Sequence, residues 1–277
     1  MPTAILIIFE YKIKQLPGAI IDLYHSYKWC ESFGCNINVF TDIQKINNMS
    51  ILEDAIDNKI VNEDIINFYE FLISKNIVTN PSELLFKIKN KLMEIDDNKL
   101  IIYYSGHGTE DNAVMPNGEL LSFISFRENI LESLDSYAEI FWILDCCNPN
   151  GLNLPFKLKN NSFELSSSKI QCVTQPILLL ISSQSNEKSI ATKYGSIFSR
   201  LLFNFLSKIK KNRNLKHLID NLSKEINILN TGYKQTISLY SSYIIHPILW
   251  LWIGTNKEYD IVSDISLSTL IVRRKQY

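Results

Sequence analysis

Two short polar strings carry the residue types that could do covalent chemistry: Tyr104-Ser105-Gly106-His107-Gly108 and Asp145-Cys146-Cys147-Asn148. Each follows directly on an apolar run, Leu100 to Tyr103 in the first case and Ile140 to Leu144 in the second. A histidine between two glycines sits on a loop whose backbone a substrate can approach closely. A cysteine at a neighbouring strand end needs only hydrogen-bond distance in space to be activated by that imidazole. The chemistry of such a pair is thiol-based acyl transfer, in which His107 raises the thiolate fraction and later protonates the leaving amine. The backbone N–H groups of Gly108 and of the cysteine are candidates for an oxyanion hole. Singly, a strand-end His or Cys is most often a packed residue. Spacing alone leaves a thiol hydrolase and a structural pair both open.

The elements that must position these strings are legible as periodicities. Ala4 to Phe9 is a continuous branched and apolar run, the pattern of a strand buried on both faces of a parallel sheet. Pro17-Gly18 breaks the chain, and Ile20, Leu23, Tyr24, Tyr27 and Cys30 then recur at helical spacing until Gly34. Ile37 to Phe40 is a second strand, which completes a β-α-β unit. Helices are predicted over 62–75 and 82–94, the latter opened by Pro81 and Ser82. Strands follow at Lys99 to Tyr104, Glu139 to Leu144, Pro176 to Ile181 and Ile248 to Ile253. Asn117-Gly118 marks a hairpin, and further helices are expected over 126–134, 196–208 and 215–229. Such alternation predicts a single α/β domain over 1–277 with a mainly parallel sheet of about six strands. Ligands of open α/β sheets bind beyond the carboxyl ends of the strands, where both polar strings would lie. An Asn/Ser/Lys-rich patch, Lys157 to Lys169, reads as part of an exposed loop over about 152–175.

With 46% hydrophobic residues among 277, the chain can bury a substantial core. Its 28 Lys and Arg balance 29 Asp and Glu, so bulk charge gives no pull toward nucleic acid or anionic membrane. The five cysteines are odd in number and two of them are adjacent, which argues against a disulfide framework and for a reducing, cytoplasmic setting. Cys30 and Cys35 are a possible metal pair, but no second pair lies at zinc spacing, so no metal is expected. The apolar start is shorter than the roughly 7–15 residues of a secretory signal. The run from Tyr243 to Gly254 contains His246 and Pro247 and falls short of the roughly 20 residues of a membrane span.

Tyr-Tyr-Ser-Gly-His-Gly followed by Asp-Cys-Cys resembles the catalytic regions of the metacaspase branch of the caspase-like cysteine peptidases. Leu16-Pro17-Gly18-Ala19-Ile20-Ile21-Asp22 is similar to that family's Leu-x-Gly-Cys/Ala-x-x-Asp segment. Ile181-Ser182-Ser183-Gln184 and Gly195-Ser196-Ile197-Phe198-Ser199 look like a later conserved region. The resemblance spans roughly residues 3 to 210 and implies a three-layer caspase-like sandwich. It implies Cys147 as the nucleophile, His107 as general acid and base, and Cys146 as a neighbour. It also implies that Asp22, Ser105 and Asp145 surround the pocket for the residue before the cut bond. Two carboxylates there would favour Arg or Lys through charge-assisted hydrogen bonds.

The departures bear on specificity and regulation. Asn148-Pro149-Asn150-Gly151 follows the nucleophile where the family usually has His-Ser-Gly, and Ala19 stands where a second cysteine is common. The acidic run that binds calcium in many relatives is reduced to Glu110, Asp111 and Glu119, so no calcium requirement and no cofactor are expected. Lys157, Lys159 and Lys169 fall where some relatives are cut during maturation, which makes them autoprocessing candidates. No third residue orienting the histidine can be named. The expected partners are protein or peptide substrates. The rival expectations are a non-catalytic caspase-like regulator and a legumain- or separase-like peptidase.

Overall fold

The computed structural model describes residues 1–43, 49–74, 83–94, 99–134, 139–160, 162–166, 173, 175–208, 215–229 and 232–243. The N-terminal apolar run is strand β1 (Thr3–Ile8), buried along its whole length. Helix α1 (Ala19–Ser32) carries the chain back to β2 (Asn36–Thr41), and the expected β-α-β unit is present. Helices α2 (Met49–Asp57), α3 (Asp64–Ser74) and α4 (Leu84–Met93) lead to β3 (Lys99–Ser105). A small antiparallel sheet follows, made of β4 (Gly108–Thr109), β5 (Asn112–Val114) and β6 (Leu120–Ser122), with the Asn117-Gly118 turn between the last two.

Helix α5 (Phe123–Asn129) and a 3-10 turn precede β7 (Glu139–Asp145), whose last six residues are all buried. The chain then forms a hairpin, β8 (Phe156–Lys159) and β9 (Ser162–Leu165), before β10 (Ile177–Ile181). The two-residue strands β11 (Ala191–Thr192) and β12 (Gly195–Ser196) pair as a second hairpin. Helices α6 (Ile197–Lys208) and α7 (Leu215–Ile228) and strand β13 (Ser238–Ser241) follow.

One sheet holds eight strands in the order β2-β1-β3-β7-β10-β13-β8-β9. The first five run parallel and the other three antiparallel. Alternate residues of the central strands feed two apolar layers, because successive side chains of a strand point to opposite faces. Tyr103, Phe141, Ile143 and Leu180 pack with α1, α3, α6 and α7. Ile102, Tyr104, Trp142 and Leu179 pack with α4 and α5 on the other side. The result is the expected three-layer α/β sandwich.

Two differences have physical causes. The sheet has eight strands among the described residues rather than about six, since residues 156–165 add a hairpin where an exposed loop is expected. Phe156-Lys157-Leu158-Lys159 alternates apolar and polar side chains, a strand pattern that its Lys- and Asn-rich surroundings mask. Helix α2 and strand β13, not expected from the sequence, are short elements held by their surroundings: α2 buries Leu52 and Ala55, and β13 pairs with β10 and β8. The strand expected at 248–253 lies outside the described residues. No helix of the described residues is long and apolar enough to cross a membrane.

Ile143 is fully buried at the middle of β7. Ile143→Ala is expected to cost about 2–5 kcal/mol, because a cavity replaces well-packed atoms. Chemical denaturation of both proteins checks this.

Candidate active site

β3 and β7 pair in parallel with Ser105 opposite Asp145. The candidate side chains lie two residues past each strand, so His107 and Cys147 are on loops leaving neighbouring strand ends. The two loops also touch. A Cβ on Gly108 would lie 2.6 Å from the Cys147 carbonyl oxygen and 2.8 Å from Cys146 Sγ, and one on Gly106 would lie 2.5 Å from the Tyr11 hydroxyl. Glycine flanks the histidine because no side chain fits on either side.

His107 is held by groups from the segment after β1 and from β3. Its N–H donates to the Tyr11 hydroxyl at 2.8 Å, and its carbonyl accepts from the Tyr104 hydroxyl at 2.7 Å. The Tyr11 ring lies against the imidazole, with centroids 4.5 Å apart. Nε2 is 2.7 Å from the carbonyl oxygen of Lys14. A carbonyl can only accept, so the neutral ring carries its proton on Nε2 and leaves Nδ1 as the basic nitrogen. The group that orients the imidazole is therefore a backbone oxygen, which no side-chain motif announces. The segment presenting it is fixed by Asp42, which accepts from the N–H groups of Glu10 at 2.6 Å and Tyr11 at 2.9 Å. Tyr11 and Lys14 adopt positive φ of 65° and 53°, a conformation that non-glycine residues enter only when held.

The two cysteines differ in environment. Cys146 is buried, and burial together with the charges of Asp145 and Cys147 pushes its thiol well above the usual range. Cys147 is half-buried, and its Sγ lies 4.0 Å from the Ser189 carbonyl oxygen. Asn148 turns the chain after it at φ 53°, a left-handed position that asparagine tolerates. Asp111 anchors this turn by accepting from Asn150 N–H at 2.6 Å and Asn150 Nδ2 at 2.8 Å. Pro149 is buried, where a ring without an N–H leaves no orphan donor.

Beneath the loops lie the three residues expected around the substrate pocket, all buried. Ser105 donates to Asp22 at 3.2 Å, and Ser196 N–H donates to the same carboxyl at 2.9 and 3.2 Å. Asp145 accepts from Ser189 at 2.6 Å and from Ser199, whose oxygen in turn takes the Tyr103 hydroxyl proton. Burial and the nearby Asp145 charge push Asp22 well above the usual carboxylate range, against the donors from Ser196 and Ser105. Asp22 is thus not a solvated helix residue: it joins α1 to β12. Gly195, at φ 88°, leaves room for it, since a Cβ there would lie 2.4 Å from Asp22 Oδ1.

The remaining candidates fall elsewhere. Lys157 and Lys159 lie in β8, which pairs with β9 on one side and, at Lys157, with β13 on the other. Lys157 Nζ sits 5.2 Å from the centre of the Tyr240 ring, and Lys159 pairs with Glu164 at 3.6 Å. Their peptide bonds are part of the sheet, not of an open linker, which corrects the expectation of an exposed cleavable loop. Lys169 lies outside the described residues. Among the described residues no cluster of His, Cys, Asp or Glu has the geometry to hold a metal ion. The residues that motif reading missed are Tyr11, Lys14, Asp42 and Ser189, while Asp111, noted only within a thin acidic run, proves to clamp Asn150. Only Tyr11, a polar aromatic just past a buried strand, offered any signal.

A thiol and an imidazole at adjacent strand ends of a three-layer α/β sandwich are the arrangement of a cysteine-type peptidase domain. The sequence profile of the caspase domain matches residues 2–247, and the chain belongs to that family. Caspase-1 from Spodoptera frugiperda has a similar fold, with a TM-score of 0.56 at 14% identity over 87% of this chain and 88% of that one. No curated protein matches by sequence.

A thiol reagent separates the two cysteines. Brief iodoacetamide treatment near neutral pH is expected to modify Cys147 and leave Cys146 intact, because only the first is reachable. Fragment-ion mass spectrometry of the shared peptide reads the ratio.

Proposed function

We propose that the chain is a cysteine endopeptidase of the metacaspase type that cuts protein substrates after Arg or Lys. The observation that carries the reading is the imidazole of His107, on the loop that lies against the Cys146-Cys147 loop and held at Nε2 by the Lys14 carbonyl. Nδ1 takes the Cys147 proton, and the thiolate attacks the scissile carbonyl to form a tetrahedral intermediate. The N–H groups of Gly108 and Cys147 receive the developing oxyanion. His107 then protonates the leaving amine, and water hydrolyses the resulting thioester with His107 as base.

The buried Asp22 and Asp145, with Ser105 donating to Asp22, support the basic preference. Two buried carboxyls that repel one another are relieved by an arriving cation, and a guanidinium can meet them with charge-assisted bonds. A calcium requirement is not proposed, since both Asp111 oxygens are engaged by Asn150.

Fluorogenic peptides ending in Arg, Lys, Asp or Asn test the reading. Cleavage after Arg and Lys is expected, and Cys147→Ala is expected to abolish it. Cleavage only after Asp or Asn would discard the acidic pocket, while no cleavage sensitive to Cys147→Ala would favour a non-catalytic regulator. Turnover is expected to be equal in excess calcium and in a calcium chelator.

The raised position of Asp22 sets the direction of the pH response. Protonation removes the charge that binds the cation, so kcat/KM for Arg peptides is expected to fall as pH drops through that raised pKa. Asp22→Asn is expected to lower kcat/KM by about tenfold or more at neutral pH and to remove this acid limb. An unchanged pH profile in the variant would sink the role given to Asp22.

A further inference from the structure

The carbonyl that orients His107 sits on a loop with little packing of its own. Lys12, Ile13, Lys14 and Gln15 are all exposed, so burial does not hold their backbone. A segment with few buried contacts opens easily unless its ends are tied. Yet His107 Nε2 meets the Lys14 oxygen at 2.7 Å, so the place of this loop sets where the imidazole points. The ends must supply the order.

Both ends meet at Glu10. Its carbonyl accepts from Leu16 N–H at 2.7 Å, which closes the loop, and its own N–H donates to Asp42 Oδ1 at 2.6 Å. The next N–H, that of Tyr11, donates to Asp42 Oδ2 at 2.9 Å. One carboxylate thus spends both oxygens on two successive amides, and bonds to an ionised acceptor are about twice as strong as neutral ones. Asp42 is itself well founded. The parallel register sets Thr41 opposite Ile8, which brings the residue after β2 beside those after β1. Ile43 behind it is buried, and its N–H donates to the Thr41 hydroxyl at 3.2 Å. From Tyr11 a second route runs to the histidine. The Tyr11 hydroxyl accepts from His107 N–H and donates to the Val114 carbonyl, both at 2.8 Å, and its ring lies against the imidazole.

We propose that Asp42 is a positioning residue for His107, acting through Lys14 and Tyr11 to keep the imidazole in one orientation with its proton on Nε2. The catalytic consequence rests on the reading of His107 as acid and base in peptide cleavage, whereas the tautomer is a property of the free protein. Without the carboxylate, the Glu10 and Tyr11 amides lose this acceptor and the loop loosens. The Lys14 oxygen then no longer selects Nε2–H, and only a fraction of molecules presents a basic Nδ1. The hydrogen bonds of Asp22 and Asp145 come from other segments. The loss therefore falls on the chemical step and not on capture of the substrate side chain.

Nitrogen-15 NMR of the histidine rings in the full chain tests this without a substrate, with His107 assigned by the signal lost in His107→Gln. At a pH where the ring is neutral, the natural protein is expected to show His107 as the Nε2–H tautomer alone. Asp42→Asn keeps the size of the side chain but offers one oxygen and turns an amide NH2 toward a donor. It is expected to give a mixture of tautomers. Thermal melts check folding, and Asp42→Ser takes its place if that variant does not fold, with the same mixture expected. An Nδ1–H ring in the natural protein, or a folded variant whose ring is unchanged, overturns the proposal. With Arg peptides, Asp42→Asn is expected to lower kcat about tenfold to a hundredfold and to leave KM within about twofold. A rise in KM with kcat unchanged would place Asp42 in substrate binding, and a tautomer mixture with undiminished kcat would refute the catalytic consequence. If the natural protein cleaves no peptide, the cleavage reading fails while the ring spectra still decide whether Asp42 sets the tautomer.

Discussion

The parallel pairing of β3 with β7 is the constraint on which the rest of the site depends. Ser105 opposite Asp145 brings the Gly-His-Gly loop alongside the Cys-Cys loop. Side chains alternate along each strand, so a slip of one residue would turn one member of the pair to the wrong face. Both strands are apolar along most of their length and are buried between helical layers. Their hydrophobic pattern holds them in the sheet but says little about register. What fixes the ends is polar: the Gly106 N–H donates to the Asp145 carbonyl at 3.2 Å, and Ser182 N–H donates to Leu144 at 3.0 Å.

Below the loops, buried polar groups tie together elements distant in sequence. Asp22 on α1 meets Ser105 on β3 and Ser196 on β12. Asp145 on β7 meets Ser199 on α6 and Ser189 in the segment after β10. Glu187 continues the pattern. Burial alone would raise it, but donors from Gln184, Thr236 and Lys234 hold it below the usual carboxylate range. Such a network is costly when partly satisfied and rigid when complete. Its members can therefore hold a loop in place and still leave two carboxyls under electrostatic tension.

Two helices, α1 and α6, reach this network from the same layer. α1 carries Asp22 near its start and buries Trp29 two turns on, while α6 places Ser199 beside Asp145.

The sequence by itself determined the layers and the two candidate catalytic strings. The run Ala4 to Phe9, the Pro17-Gly18 break, the Asn117-Gly118 turn and the two strand-end clusters act locally. Their outcome follows from residue type and spacing. The β8–β9 hairpin was legible only in part, because its alternation lies in a patch whose composition suggests a loop. The Lys14 carbonyl and the Asp111 clamp on Asn150 have no sequence signature, since any residue supplies a carbonyl and any exposed-looking carboxylate can be a clamp. Their roles were decided by the tertiary structure. Long-range backbone geometry, set by Asp42 and by the packing of the sheet, places those atoms within hydrogen-bond reach.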